Sequence, residues 1–161
     1  MRNRLIYFAP LLALTLSAFL ASAQQITIQD ESGKQTVLAR TDIEGLPRLK
    51  VTAGASGSSV TFEGVSLNSV LEKAGVGLGE TMKGKRMASY LLVEAADGYR
   101  VVFALPEIDP AFGDKKVVLA FLKDGKALDA KEGPYRIVVP DERRMARWVR
   151  QVTTLRIVAA P

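Results

Sequence analysis

The sequence predicts one strand-rich, mixed α+β domain, and three observations predict it. Short runs of β-branched and aromatic residues recur between turn residues, and only one stretch has sound helical periodicity. No linker, internal repeat or low-complexity tract divides the chain, so the strands and the helix must share one core.

Ile26-Thr27-Ile28 and Gln35 to Leu38 flank Ser32-Gly33-Lys34, which predicts a hairpin. Thr41 is a candidate cap with Glu44 three positions on, and Gly45 and Pro47 follow, so one helical turn is expected there. Arg48 to Ala53 predicts a strand, Gly54 to Ser59 a loop of small residues, and Val60 to Glu63 a second strand. Ser66 to Ala74 is the helix: Ser66 can cap it, Leu67, Val70, Leu71 and Ala74 share a face, and Gly75 ends it. Gly77 to Arg86 is polar and glycine-rich and predicts an exposed loop. Tyr90 to Ala96 and Tyr99 to Leu105 enclose Asp97-Gly98, the dipeptide preferred in a type I′ turn. Pro106 to Asp109 suits a short helical turn, and Val117 to Leu122 a strand leading into a turn at Lys123-Asp124-Gly125-Lys126. Tyr135 to Val139 predicts a short buried strand between two prolines, and Val152 to Val158 a final strand.

Residues 1–23 have the pattern of an export signal. Arg2 and Arg4 precede an apolar run from Leu5 to Leu20, and Ala21-Ser22-Ala23 supplies small residues for cleavage before Gln24. A bilayer span needs about 20 apolar residues, and this shorter run is interrupted by Pro10. A periplasmic or secreted protein is expected, with no membrane attachment after cleavage. Residues 24–161 then form one domain, a size that buries about two thirds of its unfolded surface. Arg2 and Arg4 are two of the 22 basic residues, which leaves 20 against 17 acidic ones. So slight an excess does not argue for nucleic acid, and the basic residues crowd one end without interleaved stacking aromatics.

The chain contains no cysteine and no histidine. A serine nucleophile therefore lacks an imidazole base, and the soft metal donors are missing. Gly54, Gly57 and Gly64 do not form a phosphate loop, because no Lys-Ser or Lys-Thr pair follows them. Asp97 and Tyr99 are explained by the turn and by the start of the next strand. Trp148 is flanked by Val149 and Val152 and is expected in the core with its N–H bonded.

Several stretches, in order, resemble the oxidoreductase molybdopterin-binding domain family, whose fold is that of sulfite oxidase. They are FEGVSLNSVLEKAGV at Phe62 to Val76, VEAADGYRVVFALPEID at Val93 to Asp109, LKDGKAL at Leu122 to Leu128, GPYRIVVP at Gly133 to Pro140 and ARWVRQVTTLRI at Ala146 to Ile157. The resemblance implies a periplasmic location and a molybdopterin cofactor. In catalytic relatives a cysteine thiolate just before the GVSL-like stretch binds the metal. Thr52 or Ala53 stands nearest that position here, and neither supplies a soft donor. The family's second, dimerising domain is unmatched.

The best candidate site is the arginine-rich segment. Arg136, Arg143, Arg144, Arg147, Arg150 and Arg156 lie close together, opposed locally by Asp141 and Glu142. A guanidinium fork matches carboxylate, sulfate or phosphate through paired hydrogen bonds. By the resemblance, basic residues in the stretch matching Arg144 to Trp148 approach the substrate anion or the pterin phosphate. The expected ligand-binding residues are thus Arg144 and Arg147, then Arg143 and Arg150. The alternative is a solvated charged face. The functional expectation is an exported, non-catalytic module that binds a pterin phosphate or small oxyanion. A molybdopterin oxidoreductase without a thiolate ligand and a periplasmic protein-interaction module remain the other readings.

Overall fold

The computed structural model describes residues 24–54 and 59–160. The expected signal segment 1–23 lies outside these residues, as do Gly57 and most of the Gly54 to Ser59 loop.

The strands form two five-stranded sheets. In the first, β1 (Gln25–Gln29) pairs antiparallel with β2 (Gln35–Ala39). On its other side β1 lies parallel to the C-terminal strand β10 (Val152–Val158), which pairs antiparallel with β5 (Tyr90–Ala95), and β5 with β6 (Arg100–Ala104). In the second sheet β3 (Arg48–Ala53) pairs with β4 (Val60–Ser66), and β4 with β7 (Val118–Lys123). The far side of β7 is shared by β8 (Lys126–Ala127) and β9 (Arg136–Val138). The helices are short: α1 (Arg40–Glu44), α2 (Leu67–Lys73) and α3 (Leu105–Ile108).

One cluster of buried side chains joins these parts. Alternation puts Ile26 and Ile28 of β1, Leu91 and Val93 of β5, and Leu155 and Ile157 of β10 into it. Four successive residues at the start of β7, Val118 to Phe121, are all buried, as is every residue of β9. A strand covered on both faces has no polar side to alternate, so these two read as unalternating runs, apolar except for Arg136.

Three local expectations are corrected. First, α1 starts two residues early: Ala39, not Thr41, takes the cap position, and the Asp42 carboxylate accepts the Ala39 N–H at 3.0 Å. Secondly, Ser66 caps α2 by position alone. Its side chain makes no capping bond, and the Leu67 N–H donates to the Val117 carbonyl at 2.9 Å. Thirdly, the type I′ turn is not at Asp97-Gly98, where only Gly98 has positive φ, 85°. There Gly98 N–H closes a turn on the Ala95 carbonyl, and Ala95 bonds across to Tyr99, a three-residue loop with glycine in its left-handed position. Both positive φ angles occur instead at Asp124 (49°) and Gly125 (76°), joining Lys123 to its partner Lys126. The polar stretch Gly77 to Arg86 makes 3-10 turns at Gly79–Thr81 and Gly84–Ala88, with Met82 buried between them.

Candidate functional site

A charged residue stands inside the most buried strand. Arg136 of β9 is 8% exposed, among neighbours sealed from water. Its guanidinium lies between two aromatic rings, 5.3 Å from the centre of Phe62 and 5.6 Å from that of Trp148. Phe62 comes from β4 and meets Trp148 edge-on, with ring centres 5.8 Å apart at 89°. The Trp148 N–H donates to the Val139 carbonyl at 3.1 Å, so the ring is fixed. Glu132 pairs with Nη1 of Arg136 and also accepts from Lys123 Nζ at 3.2 Å. Burial lowers the Arg136 pKa from its ordinary value, and the Glu132 carboxylate opposes that shift. The Nε–H of Arg136 is buried and meets no acceptor among the described residues.

Beside Arg136 opens a cleft of about 350 Å³. Arg150 and Trp148 line it on the C-terminal side, Tyr99 and Asp97 at the β5–β6 turn, and Met145 from a 3-10 turn at Met145–Arg147. The Tyr99 hydroxyl donates to the Ala146 carbonyl at 2.7 Å and ties that turn to the hairpin. Gln151, the residue after Arg150, holds a left-handed φ of 50°. Three bonds keep it there: its N–H donates to Glu132 O, its carbonyl accepts from Ala96, and its side-chain amide donates to Ala130 O. The backbone direction at Arg150 is therefore set by long-range contacts.

The sequence-expected arginines separate into three environments. Arg150 is exposed and lines the cleft with Arg136. Arg143 and Arg144 are exposed and do not line it. Arg147 lies 4.4 Å above the Phe103 ring centre, pairs with Glu107 at 2.9 Å and with Glu142, and donates to the Val102 carbonyl at 3.2 Å. Lys115 joins the same two carboxylates at 3.1 and 3.6 Å. Burial alone would lower the Arg147 pKa, but the hydrogen bonds to Glu142 and Glu107 hold it above its ordinary value. Arg156 pairs with Glu94 at 3.1 Å. Trp148 is 5% exposed, with its N–H satisfied as expected of a core residue, although its edge reaches the cleft. Sequence reasoning counted Arg136 in the cluster without singling it out, and passed over Glu132. The available signal was one cation within the apolar run Tyr135 to Val139, where burial demands a partner.

The position of the family's metal thiolate falls in β3. Thr52 is exposed and paired opposite Thr61, while Ala53 is buried. Neither offers a donor that a soft metal favours over water. Among the described residues no three Asp or Glu side chains are grouped to hold a metal ion. The donor set does not fit a protein-ligated molybdenum centre.

This two-sheet strand order, with the Arg136 cleft beside β9, is matched among known proteins. The chain belongs to the oxidoreductase molybdopterin-binding domain family, whose model matches residues 14–161. Its fold is similar to that of the sulfane dehydrogenase SoxCD from Paracoccus pantotrophus, at 25% identity and a TM-score of 0.63 over 84% of this chain. The match spans 39% of the SoxCD chain. No curated protein matches the sequence.

Proposed function

We propose that this protein is an exported, periplasmic binding module that keeps the molybdopterin-domain scaffold, performs no metal redox chemistry, and holds a small anion between Arg136 and Arg150. The observation that carries the reading is the Arg136 guanidinium, buried between two rings with one N–H unpaired. An unmet buried donor costs about 1–3 kcal/mol, and the same guanidinium group belongs to the lining of the cleft where the anion would sit. Arg150 stands at the same cleft with no acidic partner within salt-bridge distance among the described residues, and adds a second fork of donors. Cleavage before Gln24 would deliver the domain to the periplasm, where folding needs no disulfide from a chain without cysteine.

The test has two parts. Molybdenum and pterin are measured on protein purified from its native host, and stoichiometric metal would overturn the non-catalytic reading. Thermal shifts are then recorded with phosphate, sulfate and carboxylates on the wild type, Arg150→Ala, Arg143→Ala and Arg144→Ala. Stabilisation is expected to fall only for Arg150→Ala. Undiminished stabilisation in that variant rejects the site. A protein-docking role has one observation in its favour: Tyr99 and Met145 at the rim are 49% and 43% exposed. Pull-down from an envelope fraction with a Tyr99→Ser, Met145→Ser variant as control tests it.

A further inference from the structure

We infer that Asp97 and Glu132 make this cleft favour singly charged ligands, specifically a monocarboxylate with an apolar body, over dianions such as phosphate and sulfate. The inference rests on the anion-binding reading above and names the ligand class.

The local charge of the lining sets this preference. Two guanidinium groups line the cleft, and so do two carboxylates. Glu132 already matches the charge of Arg136 and is held from its other side by Lys123 at 3.2 Å. Asp97 accepts from the Tyr99 N–H through one oxygen, at 2.9 Å, and also lines the cleft. A ligand therefore meets strong donors, the Arg136 guanidinium and the Arg150 fork, in a lining with no net positive charge. One carboxylate can satisfy those donors. A second negative charge on the same ligand finds no further cation in the lining, which instead holds two acids that repel it. The remaining walls are Trp148, Tyr99 and Met145, which offer contact to an apolar body and nothing to the outer oxygens of an inorganic ion. At about 350 Å³ the cleft is at the small end of cavities that enclose a ligand.

The probes are benzoate and inorganic phosphate at pH 8, where phosphate is mainly dianionic, at constant ionic strength. The reporter is the Arg136 Nε–H signal in a proton–nitrogen NMR spectrum of the protein from Gln24 onward. Benzoate is expected to shift that signal saturably, and phosphate to bind at least about tenfold more weakly. Asp97→Asn keeps the oxygen that accepts from Tyr99 but loses the charge, and it should narrow the gap several-fold. Glu132→Gln should narrow it further. If loss of the partner to Arg136 unfolds that variant, Asp97→Asn decides alone. Phosphate binding as tightly as benzoate to the wild type, or an unchanged gap in Asp97→Asn, overturns the selectivity. A signal that neither probe moves in any variant refutes the anion site itself, a different failure.

Discussion

Replacing Gly64 with alanine puts a methyl group where β4 and β7 lie closest. A Cβ at that position would stand 2.2 Å from the Leu119 carbonyl oxygen and 2.6 Å from the Ala120 Cα. Both obstacles are backbone, and Leu119 and Ala120 are fully buried, so no side chain can swing aside. Relief requires the strands to part by roughly 1 Å, at about 1–3 kcal/mol for overpacking. Losing a ladder bond adds about 0.5–1.5 kcal/mol. The expected loss is about 2–5 kcal/mol, a large share of the 5–15 kcal/mol that ordinarily holds a domain together. At about 3 °C per kcal/mol for a domain of this size, the melting temperature should fall by about 6–15 °C. Urea unfolding followed by the fluorescence of Trp148, the only tryptophan, reads the change directly. The seam matters to the site because Phe62, two residues along β4, supports Arg136. A Gly64→Ala protein within about 0.5 kcal/mol of wild type would refute the close approach of the two strands.

Three further outcomes follow from other contacts. Burial pushes the Tyr135 phenol up to about 12 from 10.0, so between those values the unfolded chain ionises and the folded one does not. Its contribution, about 2–3 kcal/mol, is complete below pH 10 and lost as the pH rises through about 12. Tyr135→Phe should therefore lose less stability than wild type between pH 9 and 11.5, and parallel loss in urea titrations would contradict the burial argument. Arg147→Ala should cost about 2 kcal/mol, because it removes a ring contact and leaves Glu107 and Glu142 sharing Lys115, whereas Arg143→Ala and Arg144→Ala should each stay within about 0.5 kcal/mol. Equal effects at all three positions, in the same unfolding assay, would count against the ion cluster. Gly125→Ala should cost about 1 kcal/mol at its φ of 76°. Gly113→Ala, where a Cβ would meet nothing within 4 Å, should be neutral or slightly stabilising in melting experiments.

Most strands were legible because each is specified by its own residues. Alternation in β1, β5 and β10, and the apolar runs of β7 and β9, report burial on one face or both. The apolar face of α2 was legible for the same reason. The choice between the two Asp-Gly turns was not. Both dipeptides permit a type I′ turn, and the number of residues between paired positions decides which forms one. Lys123 pairs with Lys126 across two residues, while Ala95 bonds to Tyr99 across three.

The sequence by itself determined the fold class, the family and the lack of any thiolate or imidazole donor, because these depend on residue type and local order. It could not tell which arginines meet. Residues 143–150 hold only the single 3-10 turn Met145–Arg147 in otherwise irregular backbone, too short a period to set side-chain direction, and Arg150 takes its direction from the bonds that hold Gln151. Only the tertiary structure decided that Arg136 is enclosed beside a cleft while Arg147 is spent on two carboxylates. Both outcomes depend on partners far away in the chain, Phe62 for the first and Glu107 for the second, and local sequence carries no record of such distant neighbours.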